Sequence, residues 1–233
     1  MKILVVLAHP DDEAFGPGGT LSRYAVTGHE VRLVTMTRGE AGTLGPARHL
    51  TRPELARLRA GELRCSAKAL HLSSVRIHEL PDGGLAEVPA QEGLAIIRKE
   101  MEEFSPDALI TFHAGGISLH PDHQATARWC LEVARECEDH VRTFGFGISE
   151  EQARRVTHRK LAPIPEKEVT HIIDVSPYLE YKFAAIRCHE SQAEGWRRIQ
   201  QVEGGILPFL QSEYFSQVWP ERAQQGTADR LED

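Results

Sequence analysis

Lys2-Ile3-Leu4-Val5-Val6-Leu7-Ala8-His9-Pro10-Asp11-Asp12-Glu13 decides the fold class. Residues 3–8 are apolar without a break, and three of them are β-branched. A strand with one wet face alternates apolar and polar residues, whereas a strand covered on both faces does not. The run therefore predicts a central strand of a parallel sheet. It stops on a histidine, a proline and three acids, so the strand delivers a dense polar motif to its carboxyl end. The stretch is too short to span a membrane, and no small-residue cleavage site follows it.

Downstream, short apolar runs alternate with amphipathic segments. Apolar residues at three- and four-residue spacing predict helices over 18–27, 53–70, 90–104 and 121–138. Strands are predicted over 30–36, 75–80, 108–112 and 141–148. Residues 149–160 are polar, and 140–167 as a whole reads as an excursion or flap. A further strand is expected over 170–175, followed by a helix opened by Ser176-Pro177 and another over 193–202. Residues 220–233 are polar and expected to fray. Strand–helix alternation over 233 residues predicts one α/β domain. Its sheet is Rossmann-like and parallel, of the 3-2-1-4-5 type, with helices on both faces.

In such a sheet, ligands bind outside the carboxyl ends of the strands, where strand order reverses. The first strand ends on His9-Pro10-Asp11-Asp12-Glu13 and the second on Thr37-Arg38-Gly39-Glu40-Ala41-Gly42. The third ends on Pro81-Asp82-Gly83-Gly84, and the fourth on His113-Ala114-Gly115-Gly116 and then His120-Pro121-Asp122-His123. Strands one and four flank the reversal, which brings the two His-Pro-Asp motifs face to face.

Two histidines and a carboxylate are a common ligand set for catalytic Zn²⁺, and Fe²⁺ suits the same donors. His9, Asp12 and His123 can supply it. Asp11 can act as general base or hold a metal histidine from behind. His120 reaches the same place. As a cation it can stabilise an oxyanion or protonate a leaving amine, with Asp122 on its other ring nitrogen. Read singly, His120-Pro121-Asp122-His123 also fits a surface turn, and Asp11-Asp12 a helix cap. Their placement after neighbouring strands favours a site. Gly16-Pro17-Gly18-Gly19 lacks the G-x-G-x-x-G spacing, which argues against a dinucleotide.

At these residues the sequence resembles the LmbE/PIG-L family of zinc-dependent N-acetylglucosamine deacetylases. The resemblance rests on Ala-His-Pro-Asp-Asp-Glu at 8–13, Thr-Arg-Gly-Glu at 37–40 and Arg-Ala-Gly-Glu-Leu at 59–63. Pro-Asp-Gly-Gly-Leu at 81–85, His-Pro-Asp-His at 120–123, and a downstream signature over 174–182 and 188–192 complete it. It implies a metal on His9, Asp12 and His123, Asp11 as general base, and His120 stabilising the tetrahedral intermediate with Asp122 behind it. It further implies that Arg59 and Asp82 hold sugar hydroxyls of a small GlcNAc conjugate, as in thiol biosynthesis of the bacillithiol type. Arg38 and Glu40 are candidates for substrate contact, or pair with each other. Arg59 beside Glu62 and Asp82 before Gly83-Gly84 also read as a helix pair and a turn. Some relatives carry Tyr where Ser118 stands, and Tyr178, Tyr181 and Tyr214 are the residues left to replace it. His189 and Gln192 read as packing or substrate contact. Members of the family often form homo-oligomers.

The formal charge of −7, from 27 basic and 34 acidic residues, argues against nucleic acid as the main ligand. Nothing in the chain suggests a membrane partner. Cys65, Cys130, Cys137 and Cys188 show no CxxC spacing and are expected to be reduced, in a cytoplasmic protein. Of twelve histidines, only His9, His120 and His123 are placed for chemistry. His29, His49, His71, His78, His140, His158 and His171 show no ligand spacing. The expected reaction is metal-dependent hydrolysis of an N-acetyl group to acetate and a free amino sugar. A thiol-conjugate amidase and a catalytically silent sugar- or metal-binding protein are the other readings. A phosphoesterase would call for more carboxylates around two metals.

Overall fold

The computed structural model describes residues 1–44, 49–137, 141–157, 159–221 and 226–232. β1 (Lys2–Leu7) is buried from Ile3 onward and lies between β2 (Glu30–Thr37) and β4 (Ala108–Phe112), parallel to both. Ile3 faces Val31 across one ladder and Ala108 across the other. β3 (Ser74–Leu80) extends the sheet beyond β2, and β5 (Arg142–Gly147) extends it beyond β4, again in parallel. The chain thus builds outward from β1 in one direction and then in the other, which leaves a crevice between the ends of β1 and β4.

The full order among the described residues is β3-β2-β1-β4-β5-β7-β6. The last two strands add an antiparallel edge to the parallel 3-2-1-4-5 core that the sequence predicts. β7 (Ser212–Trp219) inserts between β5 and β6 (His171–Asp174) and runs antiparallel to both. Its inner face includes a carboxylate, so no apolar run announces it.

Ten helices are described around the sheet: α1 (Asp12–Phe15), α2 (Gly18–Val26), α3 (Arg52–Ala69), α4 (Ala90–Phe104), α5 (Gly116–Leu119), α6 (Pro121–Glu136), α7 (Glu150–Arg154), α8 (Leu179–Cys188), α9 (Ala193–Ile199) and α10 (Ile206–Leu210). Local chemistry explains several starts. Thr51 and Glu54 form a capping box on α3, with Pro53 in its first turn. Glu213 of β7 accepts from Gly19 N and Thr20 N at the start of α2, and Lys182 of α8 donates to the same carboxylate. A buried charge with every partner supplied is what lets glutamate occupy an inward position of a strand.

α4 and α6 pack closely enough that Gly93 has no room for a side chain. A Cβ there would lie 2.3 Å from Trp129 Cε3. Gly93→Ala is therefore expected to destabilise the protein by roughly 1–3 kcal/mol through overpacking. A thermal melt checks this, since each kcal/mol moves Tm by about 2–4 °C in a chain of this size.

Two further expectations are corrected. Cys65 of α3 and Cys188 of α8 form a disulfide, with Cα atoms 5.7 Å apart, while Cys130 and Cys137 are free. The partners lie 123 residues apart in sequence, so no local spacing marks them. The tail over 226–232 is held, not frayed: Leu231 is buried and its N–H donates to Tyr24 Oη at 2.7 Å, and Ile172 N donates to Ala228 O. Within 140–167, β5 takes up 142–147, and α7 follows under a Ser149/Gln152 capping box. Gln152 Nε2 donates to Phe209 O, tying this segment to α10. No described helix is long and apolar enough to cross a membrane.

Candidate active site

β1 hands the chain to His9, whose N–H donates to Asp12 Oδ2 at 2.7 Å and closes the turn. Asp11 precedes α1 with φ 111°, in the left-handed region that side chains avoid. After β4, Ile117 and Leu119 also have positive φ, 61° and 59°. Gly116 has φ +57°, and a Cβ on it would lie 3.0 Å from His123 Cβ, so the turn calls for glycine. His120 then caps α6, Pro121 occupies its first position, and His123 follows in the first turn. Backbone strain thus collects in the two loops at one sheet edge, as it does at functional sites.

Hydrogen bonds fix the tautomers of two histidines. His123 Nδ1–H donates to Gly116 O at 3.1 Å, which leaves the lone pair on Nε2. His9 Nε2–H faces two carboxylates, Asp122 Oδ2 at 3.0 Å and Asp82 Oδ1 at 3.1 Å, which leaves the lone pair on Nδ1. The two remaining nitrogens are 3.3 Å apart, and His123 Nε2 is 3.2 Å from Asp12 Oδ1. Ligand atoms of His9, Asp12 and His123 therefore gather within 4.8 Å of one another. Three lone-pair atoms so placed repel one another unless a cation sits among them. Second partners on the far ring nitrogens are the usual support of metal-ligating histidines. His9, His120 and Asp122 meet the same spacing. Asp122, however, already accepts from Gly83 N at 2.8 Å and Leu85 N at 3.0 Å as well as from His9.

The surrounding carboxylates favour a positive charge at this point. Burial opposes charge on His9, yet hydrogen bonds to Asp12, Asp122 and Asp82 outweigh it and raise its pKa well above the ordinary imidazole value. Burial likewise opposes charge on Asp12, and the imidazoles of His123 and His9 overcome it and hold the carboxyl well below its usual range. Asp11 stands beside this set with Arg59 Nη2 3.1 Å from its Oδ2. Burial pushes its pKa up to about 6, against the lowering effect of Arg59. Such a carboxylate can take and release a proton near neutrality.

Asp122 does not pair with the His120 side chain as expected. The Asp122 carboxylate points to His9, while His120 Nδ1 accepts from the Asp122 backbone N–H at 3.2 Å. The His120 proton thus sits on Nε2. Burial, followed by the neighbouring His123 and His9, lowers the His120 pKa. The expected cation is replaced by a neutral imidazole with one N–H to donate.

Arg59 is not a solvated helix residue; it is 3% exposed. Its guanidinium donates to Gly39 O at 2.7 Å and to Pro10 O, besides pairing with Asp11. Glu62 does not pair with it but accepts from Ser191 N and Oγ. Asp82 Oδ2 accepts from Ala41 N, and Glu40 Oε1 accepts from Asp82 N at 3.0 Å, so these two knit the β2 and β3 loops together. Arg38 pairs with Glu79 and not with Glu40.

A cavity of about 440 Å³ opens beside the donor set. Asp11, Asp12 and His123 line one end of it, and its walls carry Phe146, Val156, Trp196 and Phe209. Ser118 and Tyr214 border it; Arg38, Glu40, Arg59 and Asp82 do not. Tyr181 packs against His71 instead. His140 and His158 lie outside the described residues.

The sequence profile of the PIG-L family, described as GlcNAc-PI de-N-acetylase, matches residues 4–134, more than half of the chain. The chain belongs to the PIG-L family. This PIG-L chain is 32% identical over 251 residues to the 1D-myo-inositol 2-acetamido-2-deoxy-alpha-D-glucopyranoside deacetylase of Saccharomonospora viridis, covering 91% of this chain and 93% of the relative. It is 30% identical over 200 residues to a Bacillus subtilis protein named "Probable N-acetyl-alpha-D-glucosaminyl L-malate deacetylase 2", covering 84% and 85%. The crystal structure of GalB, the 4-carboxy-2-hydroxymuconate hydratase of Pseudomonas putida, superposes with a TM-score of 0.70 at 19% identity, over 97% of this chain and 99% of that one. That likeness shows the fold alone, and a hydratase on it shows why function must be argued from the site.

Reading the sequence of this PIG-L chain left Glu13 without a role. It is fully buried, its Oε1 accepts from Ser66 Oγ and lies 2.6 Å from His189 Nε2, and its Oε2 accepts from Asp11 N at 3.0 Å. Burial opposes charge on His189, but Glu13 outweighs it and raises the His189 pKa. Ser66 and His189 adjoin Cys65 and Cys188, so both supports of Glu13 flank the disulfide. Glu13 thereby holds the backbone of Asp11 in its strained turn. The one available signal was a third acid in the 11–13 run, buried where two would serve. Glu13→Gln is expected to lower kcat by roughly 100-fold through misplacement of Asp11. Metal content should be retained and KM less affected, as steady-state kinetics with metal analysis will show.

Proposed function

We propose that this PIG-L chain is a metal-dependent N-deacetylase that hydrolyses the acetamide of a small GlcNAc conjugate to acetate and a free amine. The observation that carries the reading is Asp11 placed beside three convergent ligand atoms whose tautomers are set by their second partners. His9 Nδ1, Asp12 Oδ1 and His123 Nε2 would hold the ion. Zn²⁺ there, for which Fe²⁺ also fits the donors, supplies Lewis-acid polarisation of the carbonyl and makes water nucleophilic near neutrality.

The chain's own groups do the rest. Asp11 takes a proton from the attacking water, and Arg59 holds one of its oxygens so that the other faces the substrate. His120 Nε2–H donates to the carbonyl oxygen as negative charge builds on it. Asp11 then returns its proton to the departing nitrogen as the C–N bond breaks. Asp122 keeps the His9 proton on Nε2 and so keeps Nδ1 a ligand. The sugar hydroxyls are assigned to Asp82, Glu40 and Arg38, with Arg59 acting on them through Asp82 Oδ2 at 4.0 Å. Ile148, Gln152, Val156, Arg159 and Leu161 line the cavity and shape the choice of substrate.

The test is a panel of GlcNAc-inositol, GlcNAc-malate, other GlcNAc glycosides and thiol-conjugate amides, assayed for acetate and primary amine. Equimolar acetate and amine from a GlcNAc conjugate is the expected result. Turnover confined to thiol conjugates would make the protein an amidase. No turnover on any member by protein with stoichiometric metal would leave only a binding role.

A further inference from the structure

The cavity beside the donor set is chemically unlike its neighbour. The loops after β1 to β4 present carboxylates and arginines, whereas the cavity runs toward β5 and β7 and is walled by aromatic and aliphatic side chains. Phe15 stacks on Trp196 with ring centroids 6.1 Å apart, and Val156, Leu161, Phe146 and Phe209 complete the apolar lining. Gln152, the polar residue of α7 in this wall, is spent on Phe209 O. Thr43, Ser118, Gln192, Glu194 and Tyr214 add polar groups to the lining, and Lys182 and Glu213 border it as a neutral pair. Arg159 differs. It is an exposed residue that lines the cavity, and it makes no ion pair or hydrogen bond with any described residue.

A polyol such as inositol would turn hydroxyls toward the apolar side chains that dominate this lining, which is costly. A small dicarboxylate would leave most of about 440 Å³ unfilled. An apolar body with one anion at its far end fits both the walls and the arginine. The acetamide nitrogen sits on the sugar carbon next to the glycosidic one. An amide held at Asp11 therefore sets the aglycone, and not the one-carbon methyl of the acetyl group, to fill the adjacent space.

We propose that the cavity is an aglycone subsite, and that the substrate is a GlcNAc glycoside with an apolar or aromatic aglycone ending in a carboxylate or similar anion read by Arg159. This rests on the N-deacetylase reading of the same site. Arg159 and Trp196 are then specificity residues, one for the anion and one for the apolar body.

The experiment uses the metal-loaded full chain and four GlcNAc probes: the methyl, malyl, biphenyl and 4′-carboxybiphenyl glycosides. Acetate release gives kcat/KM, and calorimetry with the already deacetylated forms gives affinity independently of turnover. The biphenyl glycoside is expected to exceed the methyl and malyl ones by about tenfold or more, and the carboxylate to add roughly another tenfold. Arg159→Gln should bring the carboxybiphenyl probe down to the biphenyl level. Trp196→Ala should reduce both biphenyl probes relative to methyl, and circular dichroism verifies that each variant is folded. Equal values for all four probes, a malyl preference, or an Arg159→Gln effect that is the same on every probe would overturn the proposal. So would a matched N-hexanoyl methyl glycoside outperforming the biphenyl probe, because the acyl chain would then occupy the cavity. Tight binding of the carboxybiphenyl amine without acetate release from any probe would sustain the subsite and overturn the deacetylase reading instead.

Discussion

Asp11→Asn is expected to lower kcat by about 10²–10⁴-fold, the usual contribution of a positioned general base, while bound metal stays at the wild-type level. Asparagine keeps the shape of the side chain but cannot take a proton. The Asp11 carboxylate is not among the ligand atoms that gather within 4.8 Å; it lies against Arg59, and its backbone is held by Glu13. Loss of proton transfer and loss of metal are therefore separable at this residue. Elemental analysis of the purified variant beside its kinetics distinguishes them. A variant that loses metal together with rate would make Asp11 a ligand and leave the reaction without its proposed base.

His123→Ala should have the opposite signature, with metal and activity lost together. His123 offers one of the three convergent atoms that would hold the ion, and the Gly116 carbonyl fixes which ring nitrogen it offers. Two remaining protein donors do not make a catalytic site of the kind the three build. Asp122→Asn should fall between the two variants. It removes the acceptor that keeps the His9 proton on Nε2, and such supports are typically worth 10–100-fold in metal affinity. A competition titration with a chromogenic chelator ranks wild type, Asp122→Asn and His123→Ala. An Asp122→Asn affinity equal to wild type would remove Asp122 from the support of the site.

Much of the architecture was legible because it is written in local patterns. The unbroken apolar run of β1 and the spacing of α3, α4 and α6 are read within a few turns of chain. Topology then carries them to the right edge, since a 3-2-1-4-5 sheet must bring the ends of β1 and β4 together. That step sufficed to place His9, Asp12 and His123 at one point. Relations that depend on side-chain direction or distant partners were not legible. β7 hides its strand character because Glu213 points inward to Lys182, a residue 31 positions earlier. The Cys65–Cys188 link spans two helices that no spacing rule connects. Asp122 was assigned to its near neighbour His120, yet the pitch of α6 turns it toward His9, across the crevice. Arg59 reads as a helix-surface residue beside Glu62, but the loops after β1 and β2 close over it. In each instance the deciding contact joins segments that are far apart in sequence.

Acetate release from a GlcNAc conjugate is to be compared in one protein preparation before chelation, after chelation and after reloading with one equivalent of Zn²⁺ or Fe²⁺. A metal-dependent reaction at His9, Asp12 and His123 requires turnover that disappears on metal removal and returns at one ion per chain, with one amine formed for each acetate. Acetate release that persists at full rate in the metal-free protein would contradict it, because His9, Asp12 and His123 would then have no part in the reaction.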